Sequence, residues 1–315
     1  MRSSTILWLI GILLLAGAAP ALALAAPAPP VASALPWWVW PLALFLVTFL
    51  LGIVAVLGGV GGGVLFVPIV GGLFPFHLDF VRSAGLLLAL AGALSAGPSL
   101  LMSGMASLRL ALPFALIGSV FSMVGALVSF QVPADVMQAM LGITITLIVL
   151  LMWRSGSTES SAGGASDRIA AALGLAGVYV DSVSGRDVDW RVQHTVAGFA
   201  AFAVIGLVGG MFGLGAGWAN VPALNLLLGV PLKGAVATSS VVMSIVNTSA
   251  AWIYIERGAV LPMIVTPSVV GVMLGARIGA RLLHRLPAAI LRRIVIVILL
   301  LAGSRALLTG FGLWN

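Results

Sequence analysis

The residues of this chain that could do chemistry are mostly neutral, and they are embedded in apolar sequence. Asn220 and Asn225 lie in one short apolar segment, and Thr238, Ser239, Ser240, Ser244, Asn247, Thr248 and Ser249 lie in the next. Polar groups in such surroundings are costly and tend to face a cavity or one another. Amides and hydroxyls can donate to an oxyanion without holding it irreversibly; their other common use is hydrogen bonding between helices. Beside them stand two glycine runs. One is Gly58-Gly59-Val60-Gly61-Gly62-Gly63 ahead of Pro68; the other is Gly209-Gly210, then Gly213-Leu214-Gly215-Ala216-Gly217 ahead of Pro222. Glycine lets the backbone bend and a ligand approach closely. A helix that starts inside a membrane turns unpaired N–H groups and its positive dipole end toward whatever sits there, which makes an anion site without a full charge. The candidate substrate-binding residues are therefore Gly61, Gly62, Gly63, Gly213, Gly215, Gly217, Asn220, Thr238, Ser239 and Asn247.

Charged candidates are sparse. Arg82 and Lys233 each follow a short apolar segment, where a cation can guide an anion or snorkel to headgroups. Arg277 interrupts an apolar run and is the charge expected to be internal, paired or functional. Asp79 and Glu256 are weak candidates for a proton carrier. His77, His194 and His284 are too far apart to form a metal motif. The sequence holds no HExxH, GxSxG or Walker A run. No catalytic residue, metal or cofactor is expected, and the chain reads as a non-enzyme.

The elements that position these residues follow from composition. Of 315 residues, 61% are hydrophobic and 7% charged, with mean hydropathy +1.22, whereas a soluble domain carries about a quarter charged residues. Lipid must solvate most of this surface. Runs such as Leu86 to Leu94 are apolar on every side rather than alternating, which selects helices over a barrel. The net charge of +7 is scattered, as membrane-surface anchors are, and no nucleic-acid partner is expected. With no cysteine, disulfides and thiol chemistry are excluded. Residues 1–25 have the pattern of a secretory signal: Arg2, an apolar run, then Ala23-Leu24-Ala25. Whether they are cleaved stays open.

Sliding the chain by 154 positions pairs Gly59 with Gly213, Gly61 with Gly215, Gly63 with Gly217, Pro68 with Pro222, Gly104 with Gly258, Pro113 with Pro267 and Gly125 with Gly279. Glycine and proline matching in register implies a tandem duplication. The expected architecture is all-α and polytopic. It has a first membrane repeat at 38–153, an extramembrane polar insert at 154–194 and a second repeat at 195–311. Each repeat makes about four full crossings plus one short segment, Val64 to Phe76 or Trp218 to Val230, too short to span. In the insert, polarity alternates on both sides of Ser184-Gly185, which predicts a small β-hairpin. Gly271, Gly275 and Gly279, at every fourth position, read as helix-packing contacts. Charge placement does not decide between parallel and inverted copies.

With its two glycine-rich turns, each followed by a proline five residues later, the Ala237-Thr238-Ser239 helix and the Gly258 connection, the chain resembles the sulfite exporter TauE/SafE family. The resemblance covers about Pro41 to Leu308. It implies a bacterial or archaeal permease for sulfite, sulfoacetate or related organosulfur anions, with Gly61 to Gly63, Gly215 to Gly217, Asn220, Thr238 and Ser239 around the substrate path. The first copy departs from this pattern, having Phe66 opposite Asn220 and Ala84-Gly85 opposite Thr238-Ser239. The expected function is secondary transport of a small inorganic or organosulfur anion across the inner membrane, by a chain that could pair as a homodimer. The alternative is a non-transporting receptor or assembly component acting through the 154–194 insert.

Overall fold

The computed structural model describes residues 36, 38–58, 62–74, 76–102, 106–154, 167–180 and 187–282, with 297, 299–300, 303–304 and 306–308 near the C-terminus. Gly61, the signal-like residues 1–25, the Ser184-Gly185 turn and most of the last apolar segment lie outside them.

Among the described residues, five helices precede the insert: α1 (Val39–Gly58), α2 (Gly62–Leu73), α3 (Leu78–Met102), α4 (Leu108–Ser129) and α5 (Ala134–Arg154). Then come α6 (Arg168–Leu173), β1 (Ala176–Val180) and β2 (Asp187–Arg191), followed by α7 (Thr195–Phe212), α8 (Gly217–Pro222), a π-helical turn (Ala223–Leu227), α9 (Leu232–Glu256) and α10 (Pro262–Leu282). Windows in α3, α4, α7 and α9 are long and apolar enough to cross a membrane; α1, α2, α5 and α10 carry shorter apolar stretches. The outer face is greasy at helical spacing, with Leu42, Leu46 and Leu50 exposed on α1 and Leu108, Leu112, Leu116 and Val120 on α4. A surface of that kind is stable only against lipid. The chain is a mostly helical, multi-pass membrane protein.

Local chemistry sets the element ends. Ser107 caps α4 by accepting the Leu110 N–H. Asp167 caps α6 by accepting from Ala170 N, and Gly174 ends that helix in the left-handed region. Pro222 has no N–H to give, and the chain widens into a π-turn directly after it. The hairpin is present, β1 pairing antiparallel with β2 from Ala176–Arg191 to Val180–Asp187. It is no free appendage: Leu175, Trp190 and Val192 are buried in one core with Leu110, Phe114, Leu228 and Val230.

Two close helix pairs frame the bundle. On α10, a Cβ at Gly271 would meet Phe45 O, and one at Gly275 would meet Phe49 O, so α1 and α10 run side by side in the same direction. The packing expected of Gly271 and Gly275 is what the structure has; the side-chain position of Gly279 lies outside the described set. Gly206 and Gly210 of α7 press in the same way against Gly118 and Ser122 of α4. Between these pairs, α3 and α9 lie antiparallel. Ser83, early in α3, donates to Ala259 O just beyond α9, while the Ser107 N–H beyond α3 donates to Thr238 Oγ1 early in α9. These two helices have 25 residues each.

Candidate functional site

The site is built around the turn between α7 and α8. Gly213 and Gly215 adopt φ of 69° and 70°, a region that costs a side-chain-bearing residue about 1–2 kcal/mol. Space enforces the same choice. A Cβ at Gly213 would collide with Arg82 O, and one at Gly215 would sit 2.8 Å from the Ala89 Cβ. The turn is therefore pressed flat onto α3. Gly63, at the start of α2, approaches the same place: its Cβ would lie 2.7 Å from Gly85 O and 2.8 Å from Leu214 O. The start of α2 and the turn between α7 and α8 therefore meet, with α3 as the wall common to both.

Around this contact the polar side chains are buried and under-used. Asn247 of α9 is 1% exposed, and its Oδ1 accepts the Ala216 N–H at 3.3 Å. That bond turns the carbonyl end of the amide toward the break and leaves the NH2 end, Nδ2, with no partner among the described residues. Asn220 is one helical turn on, its N–H bonded to Ala216 O and its side chain 0% exposed. Neither Oδ1 nor Nδ2 of Asn220 has a partner among the described residues, and the same holds for the indole Nε1 of Trp218. A buried polar group left unpaired costs about 1–3 kcal/mol, which a bound polar solute would return. Trp218 also packs against both of the two largest buried clusters, so these groups sit at the seam between them.

A family model matches residues 43–306, most of the chain. The protein belongs to the sulfite exporter TauE/SafE family. Family members are membrane transporters, not enzymes. The TauE/SafE chain is also similar to the probable membrane transporter protein YunE of Bacillus subtilis (strain 168), at 28% identity over 190 residues. That match covers 60% of this chain and 66% of the relative. No solved structure matches.

Within this TauE/SafE chain, the sequence-derived candidates separate. Gly63, Gly213, Gly215, Gly217, Asn220 and Asn247 gather at the break; Gly62 lies beside Val272 of α10. Thr238 is buried but engaged, accepting from Ser107 N at 3.2 Å. It and the buried Ser239 lie more than two turns along α9 from Asn247, roughly 12 Å or more at 1.5 Å per residue. Trp218 was not singled out from sequence; the one signal was an indole where the position 154 earlier carries Val64.

The charges correct one part of the sequence reading: Arg277 is exposed on the bundle surface and not internal. The buried cation is Arg82, 3% exposed, ion-paired with Asp79 and donating at 3.4 Å to the carbonyls of Leu78, Ser129 and Met211. The Tyr254 hydroxyl joins it, bonded to Gly210 O and Met211 O and 3.1 Å from Ser129 Oγ. This network ties the ends of α4, α7 and α9 to the beginning of α3.

Proposed function

We propose that this TauE/SafE protein is a secondary transporter of a small sulfur oxyanion or organosulfonate, bound where the two glycine-rich breaks meet, in the inner membrane. The observation that carries the reading is the pair of fully buried side-chain amides, Asn220 and Asn247, whose NH2 groups have no partner among the described residues. Neutral donors suit an anion that must leave again, since a fixed unpaired cation would trap it.

We read the chain as two inverted copies. Supporting this, helix ends recur at the offset seen in sequence: Leu78 and Leu232 start α3 and α9, Leu108 and Pro262 start α4 and α10, and Gly58 and Phe212 end α1 and α7. The matched helices α3 and α9 run in opposite directions, as inversion requires. The close pairs α1–α10 and α4–α7 exchange under the same offset. Inverted units with interrupted helices place substrate at their interface in other secondary carriers. Ser239 matches Gly85, the residue that Gly63 and Gly213 approach. The polarity is one-sided: Trp218, Asn220, Thr238 and Asn247 correspond to Val64, Phe66, Ala84 and Ala93.

The test is flux into proteoliposomes of purified protein, with sulfite, thiosulfate, sulfoacetate and taurine offered singly. Saturable uptake of at least one, lost in Asn220→Leu, is expected. Rates equal to those of protein-free vesicles for all of them would overturn the proposal.

A further inference from the structure

Resting on that reading, we infer that the site accepts its oxyanion as a singly charged species that still carries a hydroxyl hydrogen, hydrogensulfite (HOSO2−) being the simplest, and rejects the dianion of the same shape.

The argument is an inventory of hydrogen-bond polarity. With its carbonyl engaged by Ala216 N, Asn247 offers donors alone, and the Trp218 indole is a donor only. Asn220 differs: its NH2 donates, but its buried Oδ1 is an acceptor also unpartnered among the described residues. A fully deprotonated oxyanion has only lone pairs to present. Such a solute can accept from the unpaired N–H groups but leaves Asn220 Oδ1 without a donor. An O–H on the solute supplies that donor. Loss of one such bond from a buried acceptor is the kind of mismatch on which sites discriminate most strongly.

Charge points the same way. The desolvation cost of an ion grows with the square of its charge, so a buried dianion needs more hydrogen-bond donors or matching cations than a monoanion does. The buried cation described beside the break, Arg82, is already matched by Asp79 and three carbonyls. The few unpaired amide and indole donors described here suit one negative charge better than two.

The experiment uses the whole protein in proteoliposomes with total sulfite fixed and pH varied on both sides of the hydrogensulfite/sulfite ionisation. Initial rates are taken after subtracting protein-free vesicles. Above that ionisation the rate should fall about tenfold per pH unit, while KM expressed as hydrogensulfite stays constant. Excess sulfate, a dianion throughout, should not compete, and methanesulfonate, a monoanion without the hydroxyl, should compete weakly. A rate that is flat with pH, or that rises with the dianion, or that sulfate inhibits as well as sulfite does, would overturn this inference while leaving transport intact. Absence of flux at every pH would instead remove the transport reading, and this one with it.

Discussion

The Asn247 side-chain carbonyl accepts the backbone N–H of Ala216 at 3.3 Å, so a residue of α9 holds the turn that separates α7 from α8. Asn247→Leu removes that acceptor and leaves a buried N–H unpaired, at about 1–3 kcal/mol. Lower thermal stability in detergent and at least tenfold slower flux are expected. Unchanged values in both would show that the amide does not support the turn.

Trp218→Phe keeps the ring and deletes only the Nε1 donor. Loss of one hydrogen bond to an anion, about 1.5 kcal/mol, raises KM roughly tenfold, with little change in melting temperature. If Nε1 serves no ligand, KM in the proteoliposome assay will match wild type.

Gly215→Val should abolish flux while the protein still reaches the membrane, because φ of 70° and an Ala89 Cβ at 2.8 Å leave no room for a side chain. Gly92→Ala is the control: a Cβ there meets nothing within 4 Å, and Ala favours a helix by about 1 kcal/mol over Gly. Membrane-fraction blots alongside uptake separate the two outcomes, and wild-type flux in Gly215→Val would refute the site.

Arg82→Met leaves Asp79 with His77 alone beside its carboxylate and strands three carbonyl groups. Breaking a buried pair costs about 3–5 kcal/mol, toward the lower end here because the Asp79 side chain is 23% exposed. The double variant with Asp79→Asn should recover part of the loss, measured as coupling in a thermal-unfolding cycle. Purely additive losses would mean that the two charges do not act as a pair.

Asp167 links the insert to α7, accepting from Ala170 N, Thr195 N and Thr195 Oγ1. Partial burial pushes its carboxyl upward, but these hydrogen bonds and the nearby His194 outweigh that and hold it below the ordinary carboxylate value. A lowered pKa means the stabilisation is complete above the unfolded value, about 3.9, and disappears as pH falls through the lower folded one. Amide exchange in Arg168–Leu173 should therefore accelerate in acid, and Asp167→Asn should remove that pH dependence.

Much of the scaffold could be read from residues alone, since apolar runs, Gly/Pro punctuation and alternation around Ser184-Gly185 each have a local cause. The two short segments fall at 62–73 and 217–227, close to where length and glycine placed them. What sequence could not supply was partnership across distance. Arg277 interrupts an apolar run but lies on an outward face, whereas Arg82 is interior because Ser129 and Met211 bring their carbonyls to it from other helices. Thr238 is likewise committed to Ser107, a residue far away in the chain. Asn220 and Asn247 were visible as embedded amides, yet only packing reveals that one has a single free end and the other two.

The α1–α10 and α4–α7 pairs have a consequence for biogenesis. Each couples a helix made before the insert to one made after it, so α1 and α4 leave the ribosome with their matching surfaces bare. A chain truncated at the insert would present glycine-notched grooves to the bilayer with nothing to fill them. Quality-control proteases should clear such a fragment, and simultaneous synthesis of the missing part from a second gene should rescue it.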